Sequence, residues 1–128
     1  MGKAVVIVRD ADVRALIVEL LAEIDLEAVV EVAIPSGVDD PVVVVTDLGP
    51  RFDPAKARAA MRRLHERWPQ TPVVLLTSHR AAVEEPDQLG AEALILKPFD
   101  MDDLTSAVTA LIARSGTREQ ARHLRLEA

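Results

Sequence analysis

Three residues of this 128-residue chain have the chemical types and the placement to act together: Asp47, Thr77 and Lys97. Each stands at the end of a short aliphatic run: V-V-V-V at 42–45 ahead of Asp47, V-V-L-L at 73–76 ahead of Thr77, and A-E-A-L-I-L at 91–96 ahead of Lys97. A carboxylate can serve as a nucleophile, an ammonium neutralises phosphoryl oxygens, and a hydroxyl donates a hydrogen bond to them. The set therefore suits covalent phosphoryl transfer if the three run ends meet on one rim. In open α/β sheets, ligands bind at the carboxyl ends of the strands. Arg9 and Asp10, which close an earlier run at 4–8, belong to the same level. Taken alone, Asp47 has a plainer reading. It sits in T-D-L-G-P, and Asp, Gly and Pro are ordinary turn residues.

The elements that must carry these residues follow from periodicity. The run A-V-V-I-V at 4–8 reads as a buried strand, and Asp12 is placed to cap a helix over 13–24. In that helix Val13, Leu16, Ile17, Leu20, Leu21 and Ile24 recur at helical spacing, and Ala15, Val18 and Ala22 widen the stripe enough to suit a partner surface. A more polar strand over 27–33 suits a sheet edge. The connector 35–40 shows no helical pattern and is shorter than the crossover helix usual between parallel strands, so a bare loop is expected. Asp53-Pro54 reads as an N-cap with proline at the first helical position, opening a helix over 55–68. Its inward residues are Ala57, Ala60, Met61, Leu64 and Trp68; Lys56, Arg58, Arg62, Arg63 and Arg67 read as a largely outward, solvated face, with a patch for an acidic partner as the alternative. Pro86 interrupts 80–89, leaving a short turn or an irregular loop that Gly90 closes. Asp100 caps a last helix over 101–113, with Leu104, Val108, Leu111 and Ile112 inward. In the tail, 114–128, Thr117 and Gln120 have capping-box spacing, which suits a short helix or a frayed end. Strands alternating with helices point to an α/β fold with a parallel sheet covered on both faces.

Composition excludes several functions. The formal net charge is -6 and only two phenylalanines and one tryptophan are present, so neither a nucleic-acid-wrapping surface nor a base-stacking platform is expected. With no cysteine there is no thiolate chemistry and no cysteine-ligated metal. No apolar stretch approaches the length of a bilayer span and the start does not read as a signal peptide, so no membrane contact and a cytoplasmic location are expected. His65, His79 and His123 are scattered and read as surface or loop residues. No Gly-rich phosphate loop, metal-ligand cluster or flavin-stacking aromatic pair supports a small enzyme. The chain is not expected to be one.

The motifs V-V-V-V-T-D-L-G-P, V-V-L-L-T-S-H and L-G-A-E-A-L-I-L-K-P-F-D, with D-V-R-A-L-I-V-E-L-L in the first helix, resemble the receiver domain of bacterial two-component response regulators. The resemblance covers residues 3–113; the domain boundaries it implies are 1–113, with 114–128 as tail. It implies a flavodoxin-like, doubly wound five-stranded parallel sheet of order 2-1-3-4-5, with the second helix missing and the fourth shortened. It makes Asp47 the phosphoacceptor, Thr77 the hydroxyl that senses the phosphoryl group and Lys97 the contacting lysine. Gly49 stands where a backbone carbonyl helps to hold magnesium, the one cofactor implied, with Asp10 and Asp47 as its carboxylates. The implied partner is a histidine kinase or another two-component signalling protein; a homodimer would use the first helix or the tail.

Departures from the pattern point to an atypical member. The adjacent acidic pair expected at the end of the first strand falls on Val8 and Arg9, and Asp10 comes one residue later, within reach only if the loop shifts. Arg9 is expected to pair with Asp47 in place of the metal charge. The aromatic switch residue expected three before Lys97 is Leu94. The expected activity is thus protein–protein signalling with impaired magnesium binding; a working phosphoacceptor is the alternative. No DNA-binding unit fits in the fifteen residues after the last helix.

Overall fold

Strands with uninterrupted β-branched residues need cover on both faces, and the fold supplies it in three layers. The computed structural model of the chain describes residues 2–31, 37–47, 53–78, 90–97 and 100–113. In chain order the elements are β1 (Gly2–Ile7), α1 (Ala11–Glu23), β2 (Leu26–Val30), β3 (Val43–Asp47), α2 (Pro54–Arg67), β4 (Val73–Thr77), β5 (Ala93–Leu96) and α3 (residues 101–113). The strands form one parallel sheet of order β2-β1-β3-β4-β5, the flavodoxin-like order, with the more polar β2 at an edge as its composition suggests.

Alternation along the strands sorts the apolar side chains into two cores. Ala4, Val6, Val8, Val43, Val45, Val74, Leu76 and Ile95 meet α1 and α3 through Ile17, Leu20, Leu21, Leu104, Val108 and Leu111. The intervening residues Val5, Val44, Val73 and Leu75 meet α2 through Ala57, Met61, Leu64 and Trp68. Gly2 is required by close approach, because a Cβ there would lie 2.6 Å from Val42 Cγ2.

Several boundaries differ from expectation. The first helix starts at Ala11, and its cap is Asp10 rather than Asp12: Asp10 Oδ1 accepts the Asp12 and Val13 amides at 2.9 and 3.1 Å. Asp12 instead places its charge in the first turn, where it complements the helix dipole. The helix ends one residue early and Asp25 follows with φ 62°, a left-handed conformation that aspartate tolerates. Leu16 does not turn inward but is 49% exposed, so the inward stripe of α1 is narrower than its periodicity suggested. β2 stops at Val30, although the Glu31 amide still reaches Val6 O at 3.0 Å. Asp53 caps α2 with Pro54 at its first position, as read.

Residues 37–42 of the connector between β2 and β3 contain no helix. They are tied down instead by Trp68 Nε1 and Arg67 donating to Val38 O at 3.0 and 2.8 Å, and by Thr71 Oγ1 donating to Pro41 O at 2.8 Å. Arg67 also lies over the Trp68 ring at 5.1 Å, so it is half-buried rather than part of a free solvated face. The segment 80–89 with Pro86, the Lys97-Pro98 bond's proline and the 114–128 tail lie outside the described residues.

His65 is not an idle surface residue. Its Nε2 lies 2.8 Å from Glu92 Oε1, and Glu92 Oε2 accepts the Val73 amide at 2.7 Å, joining α2 to the start of β4. Glu92→Ala removes both contacts and leaves the Val73 amide without that acceptor. The expected loss is about 1–2 kcal/mol, read from the midpoint of urea unfolding.

Candidate functional site: the rim at the carboxyl ends of the strands

Parallel register places the candidate residues at one level. Asp47 is the last residue of β3, opposite Leu76; Thr77 is the last of β4, opposite Leu96; and Lys97 follows at once, its amide on Thr77 O at 2.6 Å. Lys97 Nζ lies 3.7 Å from Asp47 Oδ2, with side-chain exposures of 24% and 7%. The Arg9 amide donates to the same Oδ2 at 3.2 Å. Asp47 is thus a nearly buried carboxylate held by an ammonium and a backbone N–H. Thr77 is buried beside it in the sheet at 1% exposure.

The expected Arg9–Asp47 ion pair is corrected by this geometry. Arg9 contacts Asp47 through its main chain, and among the described residues the cation paired with Asp47 is Lys97. The reason is register: Lys97 leaves β5 directly at the rim, while the Arg9 side chain is exposed. Asp10, offered as a rescuing metal ligand, directs Oδ1 to the amides of α1. Gly49 lies outside the described residues.

Beside Asp47 opens a cleft of about 860 Å³ lined by Ile7, Val8, Arg9, Arg14, Glu31, Thr46, Asp47, Ala60, Arg63 and Leu64. Its floor is the end of β1 and β3, tied by Thr46 Oγ1 donating to Ile7 O at 3.1 Å, and its wall is one face of α2. Arg14 reaches the rim from α1 and donates to Val8 O at 3.3 Å. Sequence reasoning took Arg63 for a solvated residue and gave Arg14 and Glu31 no role. Periodicity along α1 and α2 carries no sign that their charged residues converge. The expected bare loop between the second and third strands was the one available sign, because it implies less cover than a crossover helix gives the sheet beside α2.

No protein-family model matches the chain. The regulatory protein AtoC of Escherichia coli (strain K12) is 38% identical over 88 residues, which is 66% of this chain and 18% of that protein. The chain therefore spans less than a fifth of this curated relative. A response regulator receiver domain protein from Clostridium thermocellum superposes with TM-score 0.73 at 22% identity, covering 91% of this chain and 98% of that one. The response regulator protein TrrA from Thermotoga maritima, solved in complex with Mg2+-BeF, gives TM-score 0.70 at 18% identity, covering 87% of this chain and 99% of that one. At these identities the likeness is one of fold: the structural neighbours are response-regulator receiver domains, and the sheet order here is theirs. Among the described residues no helix is long and apolar enough to cross a membrane.

Proposed function

We propose that this chain is an atypical receiver module of two-component signalling that acts by binding other signalling proteins, a histidine kinase or a related two-component partner. In this reading it is a cytoplasmic, non-enzymatic module, and Asp47 keeps the phosphoacceptor position without a standard magnesium site. The observation that carries the reading is the division of the two rim carboxylates. Asp47 Oδ2 is engaged by Lys97 and the Arg9 amide, whereas Asp10 Oδ1 caps α1. Magnesium asks for near-octahedral oxygen ligation with one or two carboxylates. Among the described residues no group of three His, Cys, Asp or Glu is gathered to hold a metal ion. In this reading the described residues do not fit that ion.

A second reading, a working phosphoacceptor, draws on the Lys97–Asp47 approach of 3.7 Å, which puts an ammonium where transferred phosphoryl oxygens would need charge. A magnesium titration followed by amide NMR separates the two. The proposal expects no saturable shift at Arg9, Asp10 or Asp47 at millimolar magnesium. Saturable shifts there, lost in Asp47→Ala, would favour the second reading.

A further inference from the structure

The cleft beside Asp47 is basic in a chain whose formal net charge is -6. Arg9, Arg14 and Arg63 line it against Glu31 and Asp47, and Asp47 already has Lys97 as its counter-charge. Among the described lining residues, three arginines therefore stand against Glu31 and an Asp47 that Lys97 already neutralises. The guanidinium fork matches carboxylate and phosphate oxygens. Arg14 is steadied by its bond to Val8 O, which leaves its other N–H donors for a ligand. Apolar surface lies alongside, from Ile7, Val8, Ala60 and Leu64. The volume of about 860 Å³ falls in the range of small-molecule sites, which combine apolar walls with a few convergent polar groups. The cleft's place in the fold has a cause. The connector residues 37–42 run without a helix and are pinned near the far end of α2 by Trp68, away from the rim end of this sheet face.

From this we infer that the cleft is a binding site for a small amphipathic anion, a carboxylate or phosphate on an apolar body, with Arg9, Arg14 and Arg63 receiving the anionic head and Ile7, Ala60 and Leu64 the body. Occupancy there would contact the same strand ends as Asp47, giving the module an input that needs no phosphoryl transfer. The inference goes beyond the proposed receiver role and does not depend on it.

The test is a fluorescence titration of the intact chain with 1-anilinonaphthalene-8-sulfonate, an aromatic anion. It uses no metal and no phosphodonor, so its failure is separate from failure of the receiver reading. The expected result is saturable binding of one probe per chain, displaced by octanoate or octyl phosphate and not by octylammonium. Arg63→Glu, an exposed helix position, should weaken binding at least tenfold. Arg62→Glu, an exposed neighbour outside the cleft with the same charge change, should leave it unaltered. Circular dichroism of both variants checks that the fold is kept. Equal affinity in the two variants, non-saturable binding, or equal displacement by octylammonium would overturn the assignment.

Discussion

Replacing Trp68 with alanine is expected to lower the stability of the chain by about 3–5 kcal/mol, the usual cost of deleting a large buried aromatic. Trp68 is 2% exposed and lies at the end of α2 in the core between that helix and the sheet. Its ring packs in the cluster that holds Val38, and its Nε1 donates to Val38 O at 3.0 Å. It therefore fastens residues 37–42, which hold no helix, a task that the apolar face of an amphipathic crossover helix would otherwise perform. The alanine variant loses the packed ring, the hydrogen bond and the surface under Arg67 together. Thermal and urea unfolding of the two proteins measure the difference. Trp68→Phe keeps most of the packing and drops only the N–H, so it should retain most of the stability. A loss below about 1 kcal/mol for the alanine variant would mean that the connector is held by other contacts.

The second large effect is a gain. Arg9→Asp is expected to strengthen the magnesium response of the rim, with affinity at least about tenfold above that of the parent chain, or roughly 1.4 kcal/mol. The substitution removes a cation and adds a carboxylate beside Asp47, whose Oδ2 already takes the amide of residue 9. Hard divalent cations are held by clustered carboxylate oxygens, and the substitution sets a second carboxylate next to Asp47. Arg9 is exposed and its side chain is in no core cluster, so the fold should tolerate the change. Isothermal titration with magnesium chloride, on the variant and on Arg9→Asp with Asp47→Ala, reads the result. Binding in the single variant that disappears in the double one is expected. No binding in either would mean that Lys97 or the rim's shape, rather than Arg9, excludes the ion.

Much of this architecture was legible because short, β-branched apolar runs bounded by turn residues suit strands covered on both faces. The valines of β3, the V-V-L-L of β4 and the Asp53-Pro54 start of α2 each stand where reading placed them. The convergence of Asp47 and Lys97 was legible too, since parallel strands of similar length end at one level. Three things were not. Asp10 and Asp12 are both competent caps, and only the actual first turn decides between them. Arg9 and Lys97 are both near enough in sequence logic to reach Asp47; register and chain direction choose Lys97. The arginine cleft draws Arg9 from the turn after β1, Arg14 from α1 and Arg63 from α2, and no single element's pattern shows that they converge.

The most direct test of the central claim is intact-mass analysis of the chain after incubation with acetyl phosphate and magnesium, with Asp47→Ala in parallel. The receiver fold with divided carboxylates predicts no magnesium-dependent phosphoryl adduct on the parent protein. An adduct that requires magnesium and vanishes in Asp47→Ala would contradict it, and would make Asp47 a working phosphoacceptor.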